Sequence, residues 1–123
     1  MARGEKMEEK RKHPRYAFSA PMMYREIGPV NAGRIHNLNE GGVMVALAER
    51  FPLGTPLELL IFLGERSVRA QAEVVSSQDP FPEAPTSYPH RLKFTRLDFQ
   101  DQLTLELFIA AALGEQARAG EAL

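Results

Sequence analysis

Arg11 and Arg15 stand four positions apart in a segment that also holds Lys10, Lys12 and His13. A guanidinium is a permanent cation with a planar fork of donors. It can bond phosphate oxygens and also lie flat against an aromatic ring, so two on one short arm suit an anionic ligand. The plainer reading of the same residues is a solvated basic tail. A second cluster, Asn37-Leu38-Asn39-Glu40-Gly41-Gly42, lies between two strand-like runs. Its amides supply donors and an acceptor, and its glycines allow a positive φ or a close approach of the backbone to a ligand. Any hairpin turn favours the same residues. His13, His36 and His90 match no compact metal-ligand spacing, and no cysteine supports them. There is no nucleophile elbow and no phosphate-binding glycine loop. No catalytic residue and no metal ligand is therefore assigned.

The absence of cysteine also excludes a disulfide scaffold and a cysteine nucleophile. A length of 123 residues suits one compact core, and 44% apolar with 25% charged residues describes an ordinary globular chain. No apolar run reaches membrane-spanning length, and no signal-peptide core is seen, so a cytoplasmic protein without membrane insertion is expected. Charge is unevenly spread. Residues 1–15 hold six Lys or Arg against three Glu, while residues 98–123 hold one Arg against five acids. A basic excess confined to the arm argues against DNA or RNA as partner, as does the scarcity of aromatic residues for stacking.

Residues 1–13 read as a flexible basic arm, 14–114 as the folded domain and 115–123 as a frayed tail. Alternating patterns predict strands at 16–25, 31–37, 43–48, 57–63, 68–74 and 88–97, with Arg34 and His36 sharing one face of the second. Gly64-Glu65 reads as a tight hairpin, and the proline-rich stretch 79–89 as a long stiffened loop. The period then becomes helical. Asp98 is a predicted N-cap, with Asp101 three residues on. Phe99, Leu103, Leu107 and Ala110 or Ala111 form the expected core stripe, and Gly114 is the expected stop. Short antiparallel strands followed by one helix suggest a small closed β-barrel with a helical lid.

The two motifs, in this order and spacing, resemble the PilZ domain family. Its pattern is an Arg-x-x-x-Arg arm and a later Asp/Asn-x-Ser-x-x-Gly turn. Leu92-Lys93-Phe94 and Leu97 extend the resemblance, which covers residues 11–113. It implies a mainly β fold, a six-stranded antiparallel β-barrel with a C-terminal α-helix. It also implies a non-enzymatic, bacterial signalling module that binds the second messenger cyclic di-GMP and needs no cofactor. By resemblance Arg11 and Arg15 grip guanines or phosphates, and Asn37 accepts from a guanine edge. Asn39 stands where the family usually has serine, and Gly42 closes the turn. Arg91 stands where a glycine is usual and is a further candidate ligand residue. The arm is expected to order on ligand binding and to alter a surface read by an effector protein in trans. Asn39 and Arg91 also leave open a PilZ-like interaction domain that has lost the nucleotide.

Overall fold

The computed structural model describes residues 16–122, with side chains from Ser19 to Gly114. Six strands form a closed barrel in the order β1-β2-β3-β6-β5-β4, every neighbouring pair antiparallel. They are β1 (Tyr16–Arg25), β2 (Asn31–Leu38), β3 (Gly42–Leu47), β4 (Pro56–Leu63), β5 (Arg66–Ser77) and β6 (Tyr88–Arg96), followed by helix α1 (Phe99–Ala122). Closure removes the open edges that would otherwise invite pairing with other chains. The expected fold class is thus the observed one.

Alternation builds the core. Val68, Ala70, Ala72 and Val74 point inward from β5, and Leu57, Leu59, Ile61 and Leu63 from β4, all buried. Between these strands Leu63 pairs with Arg66 across the two-residue turn Gly64-Glu65. Gly64 has φ +66°, and no non-glycine residue among those described has positive φ. That combination fits a type II′ turn, whose twist matches the flanking strands. Pro21 sits inside β1 because pairing with β4 begins only at Met22.

Polar groups inside the barrel are satisfied. The Ala48 N–H donates to the Tyr24 hydroxyl at 3.0 Å, and the Phe51 N–H donates to His90 Nε2 at 3.0 Å. The His90 Nδ1–H points to the Tyr88 carbonyl, 2.8 Å away. Tyr24 meets Phe51 edge-on, and Phe51 meets His90, each at 5.9 Å between ring centroids. The connection 79–87 is ordered by short turns, Ala84 to Phe81 and Ser87 to Ala84.

The helix differs from its expected form in two respects. Phe99, Leu103 and Leu107 are exposed, at 77, 43 and 61%. The buried face is Leu105, Ile109 and Ala112, with Phe108 and Leu113 packed beside it. Both sets have helical spacing, so pattern alone did not choose between them. Asp101 does. Its Oδ1 accepts the Arg69 N–H of β5 at 3.2 Å, and Leu105, Phe108, Ile109 and Ala112 follow it at i+4, i+7, i+8 and i+11 on one face. Asp98 keeps its capping position, its carbonyl accepting the Gln102 N–H at 2.9 Å. The second correction concerns Gly114. The helix runs through it to Ala122. Gly114 is not left-handed, the flanking sequence is rich in helix formers, and one glycine costs a helix only about 1 kcal/mol. Among the described residues no helix is long and apolar enough to cross a membrane.

Candidate ligand-binding face

The β2–β3 turn is shaped by Asn39. Its Oδ1 accepts the backbone N–H of Gly41 at 2.7 Å and of Gly42 at 2.8 Å, while its own N–H donates to the Gly42 carbonyl at 3.0 Å. This is an Asx-type turn, which a serine hydroxyl forms in a weaker version. The residue therefore does the turn-forming work open to a serine at its position.

Gly42 is required for a reason other than the expected one. It does not have positive φ. A Cβ added there would stand 2.3 Å from the Leu92 carbonyl oxygen. Gly42 pairs with Lys93 in the β3–β6 ladder, and the Phe94 N–H extends that contact to the Gly41 carbonyl at 3.0 Å. The glycine lets the turn lie against the backbone of β6.

Asn37 reaches the outer surface through a bulge. Ile35 pairs with Val45 and Asn37 with Met44, so His36 is an extra residue opposite β3. The register toward β1 shifts at the same place, between Ala17 and Ala20. Strict alternation would turn Asn37 inward and Leu38 outward. Instead Ile35 and Leu38 are fully buried, His36 is exposed and Asn37 is half-buried. Bulges re-aim side chains in this way. On the strand just before, the Arg34 Nη1–H donates to Ser19 Oγ at 2.7 Å, joining β2 to β1 beside the shift.

A row of outward positions now crosses three strands. Asn37 pairs with Met44, and Met44 pairs with Arg91. Arg91 is exposed, between the buried His90 and Leu92. At about 4.8 Å per strand, Asn37 and Arg91 are separated by about 10 Å, with Met44 between. The structure thus brings Asn37, Gly42 and Arg91 to one face of the barrel wall and places Asn39 at its end. Strands β2, β3 and β6 contain no Asp or Glu, and Arg34, Arg91 and Lys93 are the cations they place on this face. A surface of this kind attracts anions.

Arg11 and Arg15 lie outside the described residues. Strand β1 begins at Tyr16, opposite Leu38, and Ala17 stands opposite Asn37. The chain therefore enters the barrel beside the Asn37–Gly42 turn. Among the described residues no group of three or more His, Asp or Glu could hold a metal ion. A cleft of about 470 Å³ crosses β1, β4 and β5 on the other side of the barrel, with Met23, Leu60, Arg69 and Arg96 in its lining and none of the predicted site residues. Sequence reasoning missed Met44 and the outward turn of Asn37. Residues 33–36 alternate regularly, and the local sign of the bulge is the consecutive polar pair His36-Asn37 before the apolar Leu38.

A family model described as the PilZ domain matches residues 9–111. No curated protein matches the chain. Among solved structures it is similar to the Bacillus subtilis inhibitor of motility MotI/DgrA, with TM-score 0.70 and 22% identity, over 85% of this chain and 52% of that one. It is similar to K. pneumonia MrkH, solved as a complex with c-di-GMP, with TM-score 0.75 and 15% identity, over 89% of this chain and 55% of that one. Escherichia coli YcgR, also in complex with c-di-GMP, gives TM-score 0.71 and 17% identity, over 92% of this chain and 50% of that one. The chain spans about half the length of these three, and the likeness is one of fold.

Proposed function

Because the chain belongs to the PilZ domain family, we propose that it is a regulatory module that binds cyclic di-GMP on the outer face of β2, β3 and β6. One observation supports this above the rest: the row Asn37–Met44–Arg91 crosses three strands that carry no acid and hold three cations, Arg34, Arg91 and Lys93, on the same outer face. The ligand has two phosphates and two guanines. Two of the similar structures, MrkH and YcgR, hold it.

In this reading each residue has a chemical task. The Asn37 carbonyl oxygen accepts from a guanine N1–H or N2–H. Arg91 offers charge-assisted bonds to a phosphate. Asn39 contributes by holding the turn, and Gly42 by letting it lie close to β6. Arg11 and Arg15 come from the arm. The five links from Tyr16 back to Arg11 span at most about 17 Å, enough to reach a ligand lying over Asn37. Closure of the arm over the ligand changes the surface presented beside β1. The module is a receptor without chemistry of its own, and its output passes to a partner protein. The ordering entropy of the arm is offset by contacts made only in the bound state.

Calorimetric titration with cyclic di-GMP, with GMP and GTP as controls, tests the proposal. A dissociation constant on the order of micromolar, or roughly −8 kcal/mol, is expected. No heat at ligand concentrations near millimolar would transfer the chain to the rival reading, an interaction domain without nucleotide.

A further inference from the structure

The bulge in β2 has one product that turn geometry does not require. It leaves His36 and Asn37, adjacent in sequence, both on the outer side of the barrel, while Ile35 and Leu38 stay in the core. Strand neighbours ordinarily face opposite ways. His36 is exposed and makes no hydrogen bond or ion pair with another described residue. On its two sides stand Asn37 and, two residues back, Arg34, which is tied to Ser19 at 2.7 Å. The outward positions that pair across β2, β3 and β6 otherwise carry only Arg, Asn, Gly, Met, Ala, Pro and Lys residues. None of these has an aromatic ring. Tyr88 and Phe94 belong to the inward register, paired with the buried Leu47 and Ala72. Among the described side chains of β2, β3 and β6, His36 is therefore the one outward-facing flat ring.

We propose that His36 is a ligand-contact residue, stacking its imidazole on the purine whose edge Asn37 reads. The proposal rests on the cyclic di-GMP reading above. Edge recognition by one amide fixes a base in its plane but leaves its faces to water. A ring from the adjacent residue covers a face, and a bulge is what allows two consecutive side chains to address one base. Bases recognised out of a helix are commonly held in this way, by edge bonds together with stacking on rings that include histidine.

Calorimetric titration of the parent, His36→Ala and His36→Phe with cyclic di-GMP tests it. Stacking on a side-chain ring is lost on truncation, so His36→Ala should bind at least about 10-fold more weakly. His36→Phe keeps a planar face and should stay within about 3-fold of the parent. Circular dichroism and the thermal midpoint should match in all three, since the residue is exposed. The His36 ring proton resonances of the parent should also move upfield on ligand addition, a readout that needs no variant. His36→Ala binding as tightly as the parent, or ring resonances that do not move, would overturn the proposal and leave the receptor reading intact. His36→Phe as weak as His36→Ala would overturn stacking as the contact. A parent that does not bind cyclic di-GMP overturns both.

Discussion

At the scale of single residues, Gly42 and Asn39 are constrained by geometry already visible without ligand. Gly42→Ala would drive a methyl to 2.3 Å from a backbone carbonyl, and neither β3 nor β6 can retreat without breaking ladder bonds. A loss of about 1–3 kcal/mol is expected, the range for overpacking a tight site, read as a lowered urea midpoint at constant slope. Asn39→Ala removes the acceptor of two backbone amides. It should cost about 1–2 kcal/mol, whereas Asn39→Ser should retain most of that stability. A serine variant as unstable as the alanine one would show that the hydroxyl does not replace the amide. Both residues were legible in the sequence as members of a turn. The reason for Gly42 was not, because the obstructing atom belongs to Leu92, fifty positions along the chain, and only strand register brings it there.

At the scale of elements, α1 shows where periodicity stops being informative. Its existence, its start at Asp98 and its helical period were all readable. Its buried face was not, because apolar residues at helical spacing occur on two faces, and a contact with β5 selects one. The consequence is measurable. Leu105→Ala truncates a side chain that is 1% exposed and should cost about 2–5 kcal/mol. Leu103→Ala and Leu107→Ala should stay within about 0.5 kcal/mol, as exposed substitutions do. Equal losses at 105 and 107 would reverse the assigned face. His90 supplies a second test, at the junction of β6 with the β3–β4 connection. Burial lowers its pKa below the ordinary value, against the opposing pull of the Tyr88 carbonyl, and nearby Arg50 lowers it further. Protonating Nε2 would also remove the acceptor of the Phe51 N–H. The unfolded chain therefore takes up this proton first. The contribution of His90 is complete above about pH 6.5 and is lost as pH falls toward its lower folded value. Urea midpoints should fall between pH 6.5 and 5 in the parent, and the fall should be smaller in a folded His90→Gln variant. A parallel loss in both would assign the effect to other groups.

At the scale of the whole molecule, charge is arranged around the barrel in a way that net charge conceals. The chain sums to −1, yet the three strands bearing Asn37 and Arg91 lack any acid, and the acids of the folded part lie instead in the loops, in α1 and, within strands, at Glu58 and Glu73. The arm adds six further Lys or Arg to the end that enters beside the turn. The barrel, its strand count and its closing helix were foreseen because turn residues and alternation punctuate the chain throughout. The shared outer face was not, since it depends on which strands close the barrel together and on one bulge. If arm and wall act jointly on one dianionic ligand, their contributions should share a dependence on salt. Arg11→Ala and Arg15→Ala should each weaken cyclic di-GMP binding by about 1.5–3 kcal/mol, the worth of hydrogen bonds to a charged group. Their folds should be unchanged, because β1 is defined from Tyr16 onward. Raising sodium chloride from about 50 to about 500 mM shortens the screening length severalfold. The parent should therefore lose more affinity over that range than either variant, which has one fewer cation to screen. Titrations of the three proteins at both salt concentrations decide the matter. Identical salt slopes would mean that the arginines of the arm do not meet the phosphates, and affinities equal to the parent would remove the arm from the site altogether.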